Sequence, residues 1–231
     1  MCGRFTLTKP DKAIKDLLPL FDGHAFEPRF NIAPTQPVPV VRCQRKTGEP
    51  ELVSLRWGLI PNWADDPAVG GRLINARCET VATKPAFRGC YNQRHCLVLA
   101  DGFFEWQKDG DERRPHFIGL RDHKPFAFAG LWDRWRQGAH TIDSFTILTT
   151  DANDCVRPLH DRMPVILPRT AFDEWLHPQT NKTAPLERFF QPYPTQEMIC
   201  YPVSARVNNV KHDDAACVAP PQAPRQGSLF G

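Results

Sequence analysis

Apolar residues at helical spacing are confined to the start of the chain. Ile14, Leu17 and Leu18 share one face, Thr8 is placed to cap it and Pro10 suits a first turn. The spacing predicts a helix over 8–21, which Pro19 ends or distorts. Further on, the pattern changes to short β-branched and aromatic runs between polar turns. Strands are predicted at 37–43, 51–58, 96–100, 116–120, 126–131 and 144–150, with another at 199–204. Asp109-Gly110-Asp111 gives a turn signal between the aromatic segment 103–106 and the 116–120 run. A short helix is expected at 171–176, with Thr170 as cap and Asp173 three residues on. No repeat is visible. The pattern predicts one α+β domain over 1–214, with a largely antiparallel, barrel-like β-sheet core and a few flanking helices. From Ala215 the composition shifts to Ala, Pro, Gln and Gly, which predicts a flexible Pro-rich tail over 215–231.

Composition narrows this picture only slightly. A chain of 231 residues suffices for one good core. Its 41% hydrophobic and 24% charged content is ordinary for a globular protein. The 23 prolines favour short strands and irregular connections over a helical bundle. A net charge of +3 does not by itself call for a nucleic-acid partner, so any such site must come from local arginine clusters. No apolar h-region follows Met1-Cys2-Gly3-Arg4, and no window reaches a membrane span. A cytoplasmic protein is expected, nucleoid-associated in a bacterium. In that reducing setting the eight cysteines read as thiols. None shows C-x-x-C spacing, and buried thiols explain Cys90 and Cys96 beside His95 better than zinc does. No metal or cofactor is expected.

The residue with the most distinctive chemistry is Cys2. Once Met1 is removed, it carries an α-amine and a thiol on adjacent carbons. An α-amine titrates near 7.7–8.0, so roughly a tenth is nucleophilic at neutral pH. With an aldehyde it forms an imine, and the thiol then closes a five-membered thiazolidine at high effective concentration. An incidental buried cysteine is the plainer reading of position alone. Three other segments combine polar and apolar groups. Asn75-Ala76-Arg77-Cys78-Glu79-Thr80 sets an amide two residues from a guanidinium, and Asp101-Gly102-Phe103-Phe104-Glu105-Trp106 places a carboxylate among aromatics. His160-Asp161-Arg162-Met163-Pro164 puts an imidazole near an arginine. Singly, each fits a turn cap, a surface charge or a core histidine.

Together these segments resemble the SOS-response-associated peptidase (SRAP) family. So do Met1-Cys2-Gly3-Arg4-Phe5, Arg29-Phe30-Asn31-Ile32-Ala33-Pro34, Trp57-Gly58-Leu59-Ile60-Pro61, Pro202-Val203-Ser204 and Asn209-Val210-Lys211, in the family's order. The resemblance spans residues 2 to about 212 and implies a single α+β domain with a barrel-like sheet. It also implies covalent capture and shielding of abasic sites in single-stranded DNA, with self-removal of Met1. In that likeness Cys2 is the nucleophile, Asn75 orients it, and Glu105 moves protons during imine formation and ring opening. His160 assists ring opening and the lyase-like reversal. Thr149 looks like a pocket residue. Arg4, Arg77 and Arg162 resemble phosphate contacts, although surface salt bridges would suit any one of them equally. Trp63 and Pro85-Ala86-Phe87 are candidates for the wedge that unstacks DNA, and Asp65 and Asp66 are expected to point away from it. An abasic sugar swings out at little cost, so weak sequence preference and strong salt dependence are expected.

Gln226, Leu229 and Phe230, in the last residues of the tail, resemble a bacterial sliding-clamp binding motif. A disordered tail with a chance Leu-Phe pair is the alternative. A monomer with no membrane partner suffices for the chemistry. Three other functions remain open from sequence. A glutamine amidotransferase also begins Met-Cys-Gly, but this chain has no Asn-Gly dipeptide for an oxyanion hole. A thiol peptidase acting in trans would use Cys2, His160 and Glu105. A noncatalytic reader of single-stranded or modified DNA would bind reversibly.

Overall fold

The computed structural model describes residues 2–44, 47–177 and 186–221. Thirteen strands carry the fold: β1 (Phe5–Leu7), β2 (Arg29–Ile32), β3 (Pro37–Cys43), β4 (Pro50–Trp57), β5 (Asn75–Arg77), β6 (His95–Ala100), β7 (Gly102–Asp109), β8 (Glu112–Leu120), β9 (Phe126–Gln137), β10 (His140–Asp151), β11 (Arg162–Pro164), β12 (Ile166–Leu167) and β13 (Met198–Pro202). Among the described residues, three short helices flank them: α1 (Pro10–Leu17), α2 (Arg88–Tyr91) and α3 (Phe172–Leu176). None of the described helices is long and apolar enough to cross a membrane.

The strands form a barrel-like core and a second, open sheet. Strands β4, β3, β6, β9 and β10 pair in that order, and β10 pairs back to β4, which closes the ring. Only the β10–β4 pairing within it is parallel. Strand β6 is buried along its whole length because it is covered on both faces, which explains its unbroken apolar run. The open sheet has the order β13-β8-β7-β1-β2. Here the very short β1 lies between β2 and β7, with Phe5 opposite both Ile32 and Phe103. Phe5 reaches across to the barrel, edge-on to Trp57 at 5.0 Å and Phe128 at 5.8 Å between ring centroids. The first residues of the chain are thereby fixed between the two sheets.

The predicted fold class and the main strands agree with this architecture, and several local expectations do not. The first helix runs only from Pro10 to Leu17, with a separate turn at Pro19–Phe21. Thr8 is not its cap. The Thr8 amide and hydroxyl both donate to Asp101 Oδ2, at 2.6 and 2.7 Å, and Asp101 Oδ1 accepts from Thr6 Oγ1 at 2.6 Å. A tertiary carboxylate has outcompeted the local cap. Thr170 likewise accepts no capping bond, because α3 begins out of a preceding turn at Arg169–Ala171. Strands β8, β9 and β10 extend beyond their apolar segments, since their polar ends continue the hairpin ladders, β7–β8 turning through Gly110 at φ +61°. Packing also continues past the composition change at Ala215. Residues Ala215–Cys217 form a turn capped by Asp214, and Cys217 is fully buried beside Phe104 and Val207.

The Asp101 clamp adds a side-chain tie at the C-terminal end of β1. Replacing Asp101 with Ala strands a buried threonine hydroxyl and the Thr8 amide, so a loss of about 2–4 kcal/mol is expected. Urea denaturation measures it, and an unchanged midpoint would show that the clamp contributes nothing.

Candidate functional site

Cys2 is fully buried, and its thiol donates weakly to the Arg4 carbonyl at 3.5 Å. Its own carbonyl accepts from Asn75 Nδ2 at 2.7 Å. Asn75 starts β5, which is held in parallel register on β10, with Asn75 opposite Ile147 and Arg77 opposite Thr149. Among the described residues, Asn75 Oδ1 is buried without a hydrogen-bond partner, so one face of this amide is left open to a further donor.

Glu105 lies on β7 opposite His116 and is 4% exposed. Burial raises its pKa to about 7, and the Asp161 carboxylate adds to the rise. The Cys2 thiol is pushed far above its ordinary range, first by burial and then by the Glu105 carboxylate. The Glu105 carboxylate thus acts electrostatically on Cys2, and Asp161, next to His160, acts on Glu105. The thiol stays neutral at physiological pH, while Glu105 is poised to gain or lose a proton.

His160 ends a hydrogen-bonded segment over 152–160. The Arg162 amide donates to its Nδ1 at 3.0 Å. Asp161 Oδ1 lies 2.7 Å from the same nitrogen, which cannot serve both at once. The amide is an obligatory donor and Asp161 is largely exposed, so Nδ1 is the acceptor and the ring proton sits on Nε2. Burial lowers the His160 pKa, in keeping with a neutral ring.

The arginines have different placements. Arg4 is half-buried, and its Nη1 donates to Asn31 Oδ1 at 2.9 Å and the Val207 carbonyl at 2.8 Å. Arg77 is exposed at the end of β5. Arg162 is buried and engaged by Glu79 at 2.6 and 2.9 Å, Asp151 at 2.6 Å and the Thr149 carbonyl at 2.7 Å. The guanidinium expected at a phosphate is thus engaged by protein groups. Thr149 is fully buried, with its hydroxyl 3.5 Å from the Ala76 carbonyl.

Trp63 is 62% exposed, at the rim of a groove of about 430 Å³ that includes Pro85, Ala86 and Arg88 but none of Cys2, Asn75, Glu105 or His160. Phe87 is a core residue. Asp65 and Asp66 are exposed, and Asp66 accepts from the Ala68 amide at 2.8 Å. His95 directs its ring nitrogens at the Trp175 and Tyr91 carbonyls, both at 2.7 Å. Gln226, Leu229 and Phe230 lie outside the described residues. A groove of about 1070 Å³, lined in part by Leu17, Leu120, Phe126 and Phe172, contains no candidate site residue.

Sequence reasoning overlooked one feature beside Cys2. Gly3, Arg4, Trp106, Arg113 and Asn208 line an open cleft of about 380 Å³, and Trp106 Nε1 donates to Asn208 Oδ1 at 2.7 Å. Alternation along β7, which turns Glu105 inward, was the available signal that Trp106 faces the other way. The cleft combines an aromatic face with two guanidinium groups.

The family model described as SOS response associated peptidase (SRAP) matches residues 1–210. The chain is 39% identical over 224 residues to the abasic site processing protein YoaM of Bacillus subtilis, covering 93% of this chain and 96% of that one. It is 30% identical over 227 residues to the abasic site processing protein YedK of Escherichia coli, covering 95% and 100% respectively. A crystal structure of a protein from Bacteroides thetaiotaomicron has the same fold, with a TM-score of 0.80 over 96% of this chain and 100% of that one, at 24% identity.

Proposed function

The chain belongs to the SOS response associated peptidase (SRAP) family, and from that premise we propose that it processes abasic sites in single-stranded DNA by capturing them covalently through Cys2. The supporting observation is the Cys2 seat: a carbonyl held by Asn75 at 2.7 Å and a buried carboxyl, Glu105, raised to about 7 within reach of its charge.

The reading starts with hydrolysis of the Met1–Cys2 peptide bond, which consumes one water and frees the Cys2 α-amine. The ring-opened abasic sugar presents an aldehyde at C1′. The amine adds to that carbon, and the resulting carbinolamine loses water to give an imine. Sγ then bonds to the same carbon and its proton passes to nitrogen, closing the thiazolidine. Amine, thiol and aldehyde are consumed and one water is released. Glu105 in its protonated form supplies the proton that the departing hydroxyl needs, and in its ionised form accepts one from the adding amine. His160 Nε2 serves ring opening and the lyase-like reversal. Asn75 fixes the Cys2 carbonyl, and its open Oδ1 accepts from the freed amine. Arg4 and Arg77 contact phosphates, Thr149 walls the pocket, and exposed Trp63 offers a stacking face to DNA. Arg162 holds the His160 segment in place. The Gln226–Phe230 segment remains our proposed contact to a sliding clamp.

The test combines an abasic single-stranded oligonucleotide with a denaturing gel. A variant bearing an uncleavable residue ahead of Cys2 keeps every side chain but has no free 1,2-aminothiol. We expect it to fold normally by circular dichroism and to give no adduct that survives denaturation. Equal yields from free and blocked termini would refute the proposal, and peptide cleavage in trans or purely reversible binding would replace it with another activity.

A further inference from the structure

The capture chemistry has no use for Asn31, a fully buried polar residue on β2. Its Nδ2 faces three backbone carbonyls, those of Val207 at 3.1 Å, Asn209 at 3.1 Å and His212 at 2.7 Å. Carbonyls only accept, so the amide is seated in one sense alone and its Oδ1 must turn to a donor. That donor is Arg4 Nη1 at 2.9 Å. The same nitrogen donates to the Val207 carbonyl at 2.8 Å, so Arg4, Asn31 and Val207 close a triangle. Both protons on Arg4 Nη1 are thereby spent inside the protein.

The other edge of the guanidinium, Nε and Nη2, forms no hydrogen bond among the described residues. Both inward partners are neutral oxygens, whereas Arg162 is met by the carboxylates of Glu79 and Asp151. Arg4 is thus held on one side with its charge still available to an anion. It lines the open cleft beside Cys2, together with Trp106, Arg113 and Asn208. The turn Ala205–Asn208 serves both walls of that cleft, through the Val207 carbonyl to Arg4 and through Asn208 Oδ1 to Trp106.

We propose that Asn31 is a positioning residue for Arg4. By holding Nη1 inward it presents the Nε–Nη2 edge to one phosphate of the strand whose lesion reaches Cys2, two residues away. A planar fork suits that task because its two edges can serve different partners at once. The inference rests on the reading of single-stranded DNA as the ligand, and it does not depend on the covalent step.

Its test uses labelled oligothymidine without an abasic site, so no bond to Cys2 forms, and reads binding by fluorescence anisotropy across a salt series. Asn31→Ala is expected to weaken binding about tenfold, the effect of losing a hydrogen bond to a charged group. It should also lower the slope of log affinity against log salt by about 0.7, one phosphate on a single strand. Arg4→Ala should do the same, and adding Asn31→Ala to it should change nothing further. Circular dichroism checks the fold of each variant. Arg4→Lys gives a second reading that leaves Asn31 in place. Its ammonium satisfies the two inward acceptors and keeps the charge but has no second edge, so the same tenfold loss is expected. Unchanged affinity in folded Asn31→Ala, a further loss of similar size on the Arg4→Ala background, or wild-type affinity in Arg4→Lys would each overturn the proposal. Wild-type protein that does not bind oligothymidine would overturn it together with its premise. Adduct yield on an abasic strand is measured separately. Normal adduct formation with binding indifferent to Asn31 removes this inference alone, and the expected binding pattern without any adduct removes the capture reading alone.

Discussion

Cys2→Ala is expected to lower the yield of denaturation-resistant adduct by at least about 100-fold, since only the second, intramolecular bond protects the imine from water. The variant keeps its α-amine, so it still forms the imine. That imine hydrolyses once the pocket unfolds. Borohydride added before denaturation should recover the band in Cys2→Ala, because it reduces the imine to an amine, and should recover nothing in the protein with a blocked terminus. Cys2→Ser belongs with Cys2→Ala, a hydroxyl being a far poorer nucleophile than sulfur. Its side chain is nearly the same size, so the fully buried position should remain filled. A heat-stable band of wild-type intensity in either variant would show that sulfur takes no part.

Glu105→Gln should slow capture by about 100- to 10,000-fold, the usual contribution of a placed general acid or base. The pH profile is diagnostic. The rate should rise as the terminal amine loses its proton, with a midpoint near 7.7–8.0. It should fall as the Glu105 acid ionises, about pH 7. The product is a bell with its maximum between the two, and Glu105→Gln should lose the falling limb. The same substitution should stabilise the fold. Burial raises the native carboxyl to about 7 from its ordinary 4.5, so between those values the native state holds a proton that the unfolded chain has released. Stability is then greatest below pH 4.5 and declines until about pH 7. Removing the charge should add up to about 3 kcal/mol at pH 8, with the advantage vanishing toward pH 4.5. Denaturant midpoints at the two pH values measure this. A Gln variant no more stable at pH 8 than wild type would show that Glu105 is not held against its charge.

The barrel strands were legible because β3, β4, β6, β9 and β10 carry their apolar residues in compact runs bounded by turn residues. Cys2, Asn75, Glu105 and His160 were singled out only through short motifs that together resemble the family, since each motif alone has a plainer reading. What escaped was placed by contacts far apart in sequence. Thr8 reads as a helix cap until Asp101, 93 residues away, takes its amide and hydroxyl. Arg162 reads as a phosphate contact or a salt bridge, and its partners Glu79, 83 residues away, and Asp151 cannot be named from the sequence. Asn31 donates to the Val207, Asn209 and His212 carbonyls, and nothing near it in the chain announces those partners. Periodicity reports only which face of an element is covered, and the identity of the covering group is a tertiary fact.

The seating of β1 has a consequence for how the protein is made. Cys2 and Arg4 leave the ribosome well before their partners Asn75, Glu105 and the Val207 carbonyl. At ordinary translation speeds, on the order of 10–40 s separates the birth of that terminus from the birth of its last partner. Through that interval β1 lacks these partners, and the seat around Cys2 stays incomplete until the segment carrying Val207 arrives.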